Sequence, residues 1–201
     1  QDHLDCIVTS ILENGGRSCV NASGVWTPAF GREMAGALAE RLAGVKPLPP
    51  EDPEARIAGF ASKRFAETIS SAIDQALLTP GAEDLTARAR GEGFPRLVEA
   101  HGATYILPTI IWCEDPEHPL ANREFLFPFA SVVQLPQAEI LSRIGPTLVA
   151  TALTRDSEFQ KELLDCRDID RLNLGPVPTC VLSWDQPHEG NLFQHLYRQR
   201  A

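Results

Sequence analysis

Among the side chains of this 201-residue sequence that can do covalent chemistry, Cys19 stands in the most suggestive setting. It follows the pair Gly15-Gly16 closely, and Arg17 lies two residues before it. Backbone N–H groups at a glycine turn and a nearby positive charge both stabilise a thiolate, which is the nucleophilic form of cysteine. The spacing therefore predicts a nucleophile at Cys19. A lone cysteine near glycines is also compatible with a buried, unreactive thiol, and the spacing alone leaves that alternative open.

The remaining cysteines stand singly along the chain, at Cys6, Cys113, Cys166 and Cys180. The odd total of five, with no C-x-x-C pair, favours free thiols in a reducing compartment, and we expect a cytoplasmic protein. We interpret these four as small buried hydrophobic residues. His118 and His188 lack partners at ligand spacing, so no metal site is predicted.

Composition narrows the classes of partner. The formal net charge is -9, and no cluster of Lys or Arg is longer than a pair, so the sequence does not favour binding to nucleic acid. The apolar run at residues 105–112 is too short to cross a bilayer and contains Pro108, so no membrane span is predicted. The first residue is Gln, and no basic head with an apolar stretch follows it. We therefore expect no signal peptide and a start within a longer chain.

The elements around Cys19 can be read from hydrophobic spacing. Residues 4–12 place Leu and Ile side chains on one helical face, which predicts a helix. Gly15-Gly16 ends that helix, so Cys19 is expected in a turn at the start of the next element. A short strand over residues 20–25 and a helix over residues 28–43, with Pro28 in its first turn, are predicted next.

Helices and strands alternate through the rest of the chain. A proline-rich loop at residues 45–53 precedes a second long helix, and residues 88–93 read as a polar connection. We expect helices at residues 55–77 and 157–166, the second capped by Ser157, and a helical turn at 138–144. Residues 94–100 are expected to form an extended or short helical piece, and strands are expected at 105–112, 130–135, 147–154 and 171–174. This alternation predicts an α/β fold, a mainly parallel sheet flanked by helices.

Residues 14–19, Asn-Gly-Gly-Arg-Ser-Cys, resemble the Asn-x-Gly-Gln-x-Cys nucleophile loop of aldehyde dehydrogenases, with Arg17 in place of Gln. Further segments are similar to later motifs of that family and occur in the family's order. They are residues 42–53 (its loop after the first long helix), 103–110 (its Gly-Tyr-Phe-x-x-Pro-Thr strand), 123–129 (its Glu-Ile-Phe-Gly-Pro-Val segment), 145–156 (its Thr-x-Asp segment) and 171–174 (its Val-Asn strand). The chain is therefore identified as similar to the thiol-bearing catalytic domain of the aldehyde dehydrogenase superfamily.

The resemblance implies a role for each matching residue. Cys19 would attack an aldehyde to give a thiohemiacetal, hydride would pass to NAD or NADP, and water would release the resulting thioester. The backbone N–H of Cys19 would donate to the oxyanion. Glu124 would bind the cofactor through the nicotinamide-ribose hydroxyls; its alternative reading is a solvated surface carboxylate. Leu126 stands where the family has an aromatic residue beside the nicotinamide, and Phe127 replaces the family's glycine.

The resemblance also implies a missing partner. In the family, the cofactor-binding domain, an oxyanion side-chain amide and a glutamate base all precede the nucleophile, and none is present in this sequence. We therefore expect a catalytic domain, residues 1–180, that is inactive alone and works with a cofactor-binding domain, in a homo-oligomer. Two alternatives remain, a CoA-acylating relative and a catalytically silent assembly module.

Residues 181–201 read as a C-terminal extension that docks on the same or a partner domain. Residues 184–191 stand near the place of the family's Pro-Phe-Gly-Gly motif, and we interpret His188 and Glu189 as part of a capped loop rather than as catalytic groups. An apolar face at Phe193, Leu196 and Tyr197 is expected to contact another subunit or the missing domain.

Overall fold

The structure is a computed structural model that describes residues 3–91 and 93–183. Its central sheet has four strands in the order β1-β6-β5-β2. They are β1 (Gly24–Thr27), β2 (Ala82–Asp84), β5 (Thr109–Cys113) and β6 (Phe129–Gln134). β6 runs parallel to both β1 and β5, while β2 is antiparallel to β5 at one edge. The predicted mainly parallel α/β sheet is confirmed.

Helices bury both faces of this sheet. α1 (Leu4–Leu12), α2 (Gly31–Ala43) and α4 (Leu85–Arg90) pack on the face that carries Ile110, Trp112 and Val132. α3 (Lys63–Ala76), α5 (Gln137–Ile144) and α6 (Ser157–Asp165) pack on the face that carries Ile111, Cys113 and Val133. Successive residues of a strand point to opposite faces, so the continuous apolar runs of β5 and β6 fit a sheet covered on both sides.

Two smaller sheets complete the fold. β3 (Leu97–Ala100) pairs antiparallel with β4 (Ala103–Ile106). β7 (Thr147–Ala152) and β8 (Ile169–Leu174) pair in parallel, and α6 forms the crossover between them. Because a parallel pair needs such a crossover, α6 fixes where β8 lies.

Several helix boundaries differ from the sequence-based predictions for physical reasons. The helix predicted from residue 28 begins at Gly31, because Phe30 adopts a left-handed conformation (φ 56°) that cannot continue a helix. The helix predicted from residue 55 begins at Lys63, where the Ser62 side chain accepts a hydrogen bond from the Phe65 N–H. Asp156, rather than Ser157, caps α6.

The strand predicted at residues 105–112 was wrong as a single element. Pro108 separates it into β4 and β5, which belong to different sheets. The polar connection predicted at residues 88–93 was also wrong at its start, since α4 extends to Arg90. Predictions for residues 184–201 lie outside the described residues. In the part of the chain that the structure describes, no helix is long and apolar enough to cross a membrane.

Candidate active site

Three consecutive residues with left-handed backbone conformations precede Cys19, which lies at the surface. After α1, a single 3₁₀ turn (Glu13–Gly16) contains Asn14, Gly15 and Gly16 at φ values of 53°, 64° and 67°. Glycine adopts such angles without steric cost, which explains the pair in the sequence. Cys19 then lies exposed in a turn, in which the Asn21 N–H donates to the Ser18 carbonyl (3.0 Å). The predicted position of Cys19 after a glycine turn is confirmed.

The side chain of Asn21 holds this turn in place. Its Oδ1 accepts from the Ser18 N–H (2.8 Å), and its Nδ2 donates to the carbonyls of Ser10 (3.0 Å) and Glu13 (2.9 Å). The amide therefore bridges the end of α1 to the turn that carries Cys19. Asn21 was missed at the sequence level, where its only signal was its place two residues after Cys19.

The Cys19 loop is seated directly on the segment that carries Glu124. A Cβ on Gly16 would meet the amide nitrogen of Pro128 at 2.3 Å and the carbonyl carbon of Phe127 at 2.5 Å, distances that only glycine avoids. Phe127 is buried and packs with Phe129 at 6.0 Å between ring centroids. The large side chain of Phe127 therefore anchors the backbone segment on which the Cys19 loop packs.

Cys19 and Glu124 line the same cavity, of about 540 Å³, which lies between β1 and β7. Glu124 is exposed at its wall and also borders a small adjoining pocket beside Gly16. The structure thus brings together the predicted nucleophile and the predicted ribose-binding carboxylate, 105 positions apart in sequence. Leu126, the third predicted site residue, is 52% exposed and does not line this cavity.

The positive charges near Cys19 are arranged differently from the sequence-based expectation. The Arg17 guanidinium donates to the carbonyls of Ala58 (2.8 Å) and Gly59 (3.1 Å) and stacks 4.3 Å from the Phe60 ring centroid. Arg17 therefore ties the loop to residues 58–60. Arg171 also lies within electrostatic reach of Cys19: burial lowers the pKa of Arg171, and Cys180 and Cys19 partly oppose that effect.

Three of the other four thiols lie in less reactive settings. Burial, with a smaller contribution from Asp115, raises the pKa of Cys113 to about 12. Burial also raises the pKa of Cys6 and of Cys180. Cys113 is buried as predicted, whereas Cys6, Cys166 and Cys180 are only partly buried.

His118 has a structural role in the fold. Its Nδ1 accepts from the Leu120 N–H (3.1 Å), and its Nε2 lies 3.2 Å from the Thr79 carbonyl oxygen. Among the described residues, no cluster of His, Cys, Asp and Glu could hold a metal ion.

Solved structures share this arrangement of elements. Lactaldehyde dehydrogenase from Escherichia coli superimposes on 92% of the chain with a TM-score of 0.75 at 17% identity. A putative aldehyde dehydrogenase from Burkholderia cenocepacia covers 94% with a TM-score of 0.76 at 16% identity. The chain has the aldehyde dehydrogenase fold. An aldehyde dehydrogenase from Bacillus cereus, solved as its NAD⁺ complex, covers 94% of the chain with a TM-score of 0.75 at 16% identity.

The chain spans 37–38% of the length of these three aldehyde dehydrogenase structures. No protein-family model and no curated protein sequence matches it. The resemblance read from the motifs is therefore confirmed at the level of the fold, and the likeness extends over nearly the whole chain.

Proposed function

We propose that this chain supplies the catalytic domain of an NAD- or NADP-dependent aldehyde dehydrogenase that converts an aldehyde to a carboxylic acid. The observation that carries the proposal is the cavity between β1 and β7, into which an aldehyde dehydrogenase fold brings both Cys19 and Glu124. A thiol and a diol-binding carboxylate at one cavity are the pair that this chemistry requires.

Cys19 acts as the nucleophile. Its thiolate attacks the carbonyl carbon, the carbonyl π electrons move to oxygen, and a thiohemiacetal forms on the sulfur. The backbone N–H of Cys19 donates to the oxygen as negative charge develops there, a contribution worth about 3 kcal/mol in comparable sites. After oxidation of the thiohemiacetal, water attacks the Cys19 thioester and releases the acid. Asn21 fixes the turn and so keeps the sulfur at the cavity.

Glu124 fits the ribose of the cofactor. Its carboxylate is exposed at the cavity wall, and no described residue pairs with it. Two acceptor oxygens suit two adjacent hydroxyl donors. Glu124 would hold the sugar of NAD or NADP, and the nicotinamide of that cofactor would supply a hydride acceptor beside Cys19. Leu126 is proposed to pack near the nicotinamide from its exposed position.

A second domain supplies the remaining parts. The structures that share the fold are more than twice as long as this chain, and the general base, the oxyanion amide and most of the cofactor site are assigned to a cofactor-binding domain outside residues 1–180. Residues 181–201 are proposed to dock on this domain or on a partner subunit of a homo-oligomer. A reducing compartment such as the cytoplasm would keep the free thiols reduced.

The test is aldehyde-dependent reduction of NAD or NADP by the intact protein that contains this chain. Cys19→Ala should abolish the reaction, and the control Cys166→Ala, which alters a partly buried thiol at the end of α6, should leave it unchanged. Retention of activity in Cys19→Ala would refute the proposal. Product analysis separates the CoA-acylating alternative, because that enzyme yields an acyl-CoA instead of the acid.

A further inference from the structure

Two strand edges face each other across the cavity that Cys19 lines. Every residue of β1 (Gly24–Thr27) and every residue of β7 (Thr147–Ala152) lines this cavity. Among the described residues, β1 pairs only with β6 and β7 pairs only with β8, so neither sheet continues into the space between them. The two long walls of the cavity are therefore sheet edges.

The pairing of β1 shows which of its backbone groups point into the cavity. The carbonyls of Ser23 and Thr27 accept hydrogen bonds from an N–H group of β6 and from that of the residue after it (3.0 and 3.1 Å). Backbone groups of alternate residues along a strand point to opposite edges. Those of Gly24 and Trp26 therefore point away from β6 and towards the cavity.

β7 presents its backbone in the same way. The Thr147 N–H donates to the carbonyl of Asp168, the residue before β8 (2.7 Å). The N–H and C=O groups of Leu148 and Ala150 therefore point away from β8 and towards the cavity. An edge that presents such groups is a template for another strand, and two such edges border one space here.

The two edges run in the same direction. The Asn122 amide donates to the Ile144 carbonyl (3.2 Å), which joins the segments that precede β6 and β7. The Gln137 amide donates to the Asp156 carboxylate (2.8 Å), which joins the segments that follow these two strands. β6 and β7 are therefore parallel, and β1 is parallel to β6. One strand between β1 and β7 would pair in parallel with both.

Helices cover the space between the edges on both sides. Ile7 of α1 and Met34 of α2 line it on one side, and Ile140 of α5 with Phe159 and Leu163 of α6 line it on the other. A strand in this position is buried on both faces, a setting that favours a continuous apolar run. A strand takes up about 4.8 Å by about 10 Å by about 3.3 Å per residue, so a cavity of about 540 Å³ holds on the order of four residues, the length of β1.

We propose that the cavity between β1 and β7 receives an apolar β-strand of the second domain, parallel to both edges, and that this strand joins the two sheets into one sheet of seven strands. The inference rests on the second domain of the proposed function and does not require the reaction at Cys19. Residues 184–201 contain no run of more than two apolar residues, so they do not match the strand. Solved structures with this fold are more than twice as long as the chain, which leaves ample length for it.

The strand leaves the proposed reaction centre open. Cys19 precedes β1 and Glu124 precedes β6, so both lie at the end of the cavity where these strands begin. A strand that runs between the edges fills the space beyond that end and narrows the cavity around the two residues. The docking surface and the proposed site therefore occupy different parts of one cavity.

Amide hydrogen exchange of the 201-residue chain, followed by NMR, tests the inference with a synthetic peptide. The probe is acetyl-Lys-Val-Ile-Val-Val-Lys-amide, and the control peptide, acetyl-Lys-Ser-Ile-Ser-Val-Lys-amide, has the same length and charge but one polar face. We expect the probe to slow exchange at Gly24, Trp26, Leu148 and Ala150 by about tenfold when its free concentration is about tenfold above its Kd. The control peptide should leave these four amides unchanged.

Two proline variants assign the effect to the edge of β7. Ala150→Pro removes an N–H that points into the cavity but not one that donates to β8, so it should abolish the slowing at Gly24 and Trp26. Glu99→Pro places a proline on the edge of β3 that faces away from β4, outside the cavity, and should retain the slowing in full. Should Ala150→Pro fail to fold, the comparison of the two peptides in the parent chain still decides the matter.

Each contrary outcome has its own meaning. No slowing at these amides with about 1 mM probe overturns the docking surface and leaves the reaction at Cys19 standing. Equal slowing by the two peptides overturns the assignment to an apolar strand. Loss of iodoacetamide labelling at Cys19 in the probe complex overturns the placement of the strand. Slowing that grows with the concentration of the chain alone assigns the edges to a second copy and overturns their assignment to the second domain.

Discussion

Gly16 lies so close to Pro128 that a Cβ on Gly16 would stand 2.3 Å from the Pro128 amide nitrogen. This contact joins the loop that carries Cys19 to the segment that carries Glu124. Neither side can withdraw easily, because Phe127 is buried next to Pro128 and packs on Phe129. The separation of the proposed nucleophile and the proposed ribose ligand is therefore set by backbone packing rather than by flexible side chains.

Gly16→Ala should be strongly destabilising. The added methyl group meets backbone atoms that have little freedom to move, and alanine disfavours the φ of 67° at this position. We expect a loss of about 3 kcal/mol or more in the free energy of unfolding, measured by urea denaturation. Gly36→Ala is the matched control, because Gly36 lies inside α2 with open space around it, and it should stabilise by about 0.5–1 kcal/mol. Equal effects of the two substitutions would contradict this packing argument.

Cys19 should react fastest of the five thiols. It is exposed, whereas burial raises the pKa of Cys113 to about 12 and also raises those of Cys6 and Cys180. Because the thiolate is the reactive form, we expect Cys19 to be labelled at least about tenfold faster than these three. Peptide mapping after limiting iodoacetamide measures the order. Faster modification of Cys113 or Cys166 than of Cys19 in the folded chain would contradict this prediction.

The stability of the chain should depend on Asp156 in acid. The Gln137 amide and the backbone N–H groups of Phe159 and Glu158 lower the pKa of Asp156. A carboxylate with a lowered folded-state pKa contributes stability above its unfolded pKa of about 3.9 and loses that contribution as pH falls through the folded value. Asp156→Asn keeps the cap but cannot titrate.

Thermal melts from about pH 6 to about pH 2.5 measure this dependence. The parent Tm should fall more steeply below about pH 4 than the Tm of Asp156→Asn. Gln137→Leu removes the largest cause of the lowered pKa, so its Tm should fall less steeply below about pH 4 than the parent Tm. If the Tm of the parent and the Tm of Asp156→Asn fall equally with pH below about pH 4, this carboxylate makes no contribution.

Glu124→Gln should slow hydride transfer more than it weakens cofactor binding in the intact protein. The amide keeps one acceptor and turns the other into a donor, so one ribose contact is lost while the ring still docks. A misplacement of about 1 Å costs on the order of 100-fold in rate. Single-turnover stopped-flow absorbance isolates this step from product release. If rate and affinity both stay unchanged, Glu124 is a solvated surface carboxylate.

Local patterns predicted the framework of the site well. The spacing of apolar residues gave α1 at its observed bounds, and the glycine pair placed Cys19 in the turn after it. The parallel sheet followed from the alternation of elements. The meeting of Cys19 with Glu124 at one cavity followed from the order of the family-like segments.

Local sequence patterns did not predict the contacts between residues that are distant in the sequence. Arg171 was read only as the first residue of a short strand, because its burial depends on β8 packing beside β7 and on the loop to Thr179. Arg17 was expected to act on Cys19, yet residues 58–60 hold its guanidinium. The place of each guanidinium depends on tertiary contacts that the local sequence does not show.

Carbon-13 NMR of the chain mixed with an aldehyde labelled at its carbonyl carbon shows whether the aldehyde forms a covalent adduct with Cys19. A new signal from a tetrahedral carbon should appear in proportion to the protein and persist in the control Cys180→Ser. It should be absent in Cys19→Ala. The same signal at undiminished intensity in Cys19→Ala, or no signal in the parent chain at saturating aldehyde, would show that Cys19 is not the nucleophile.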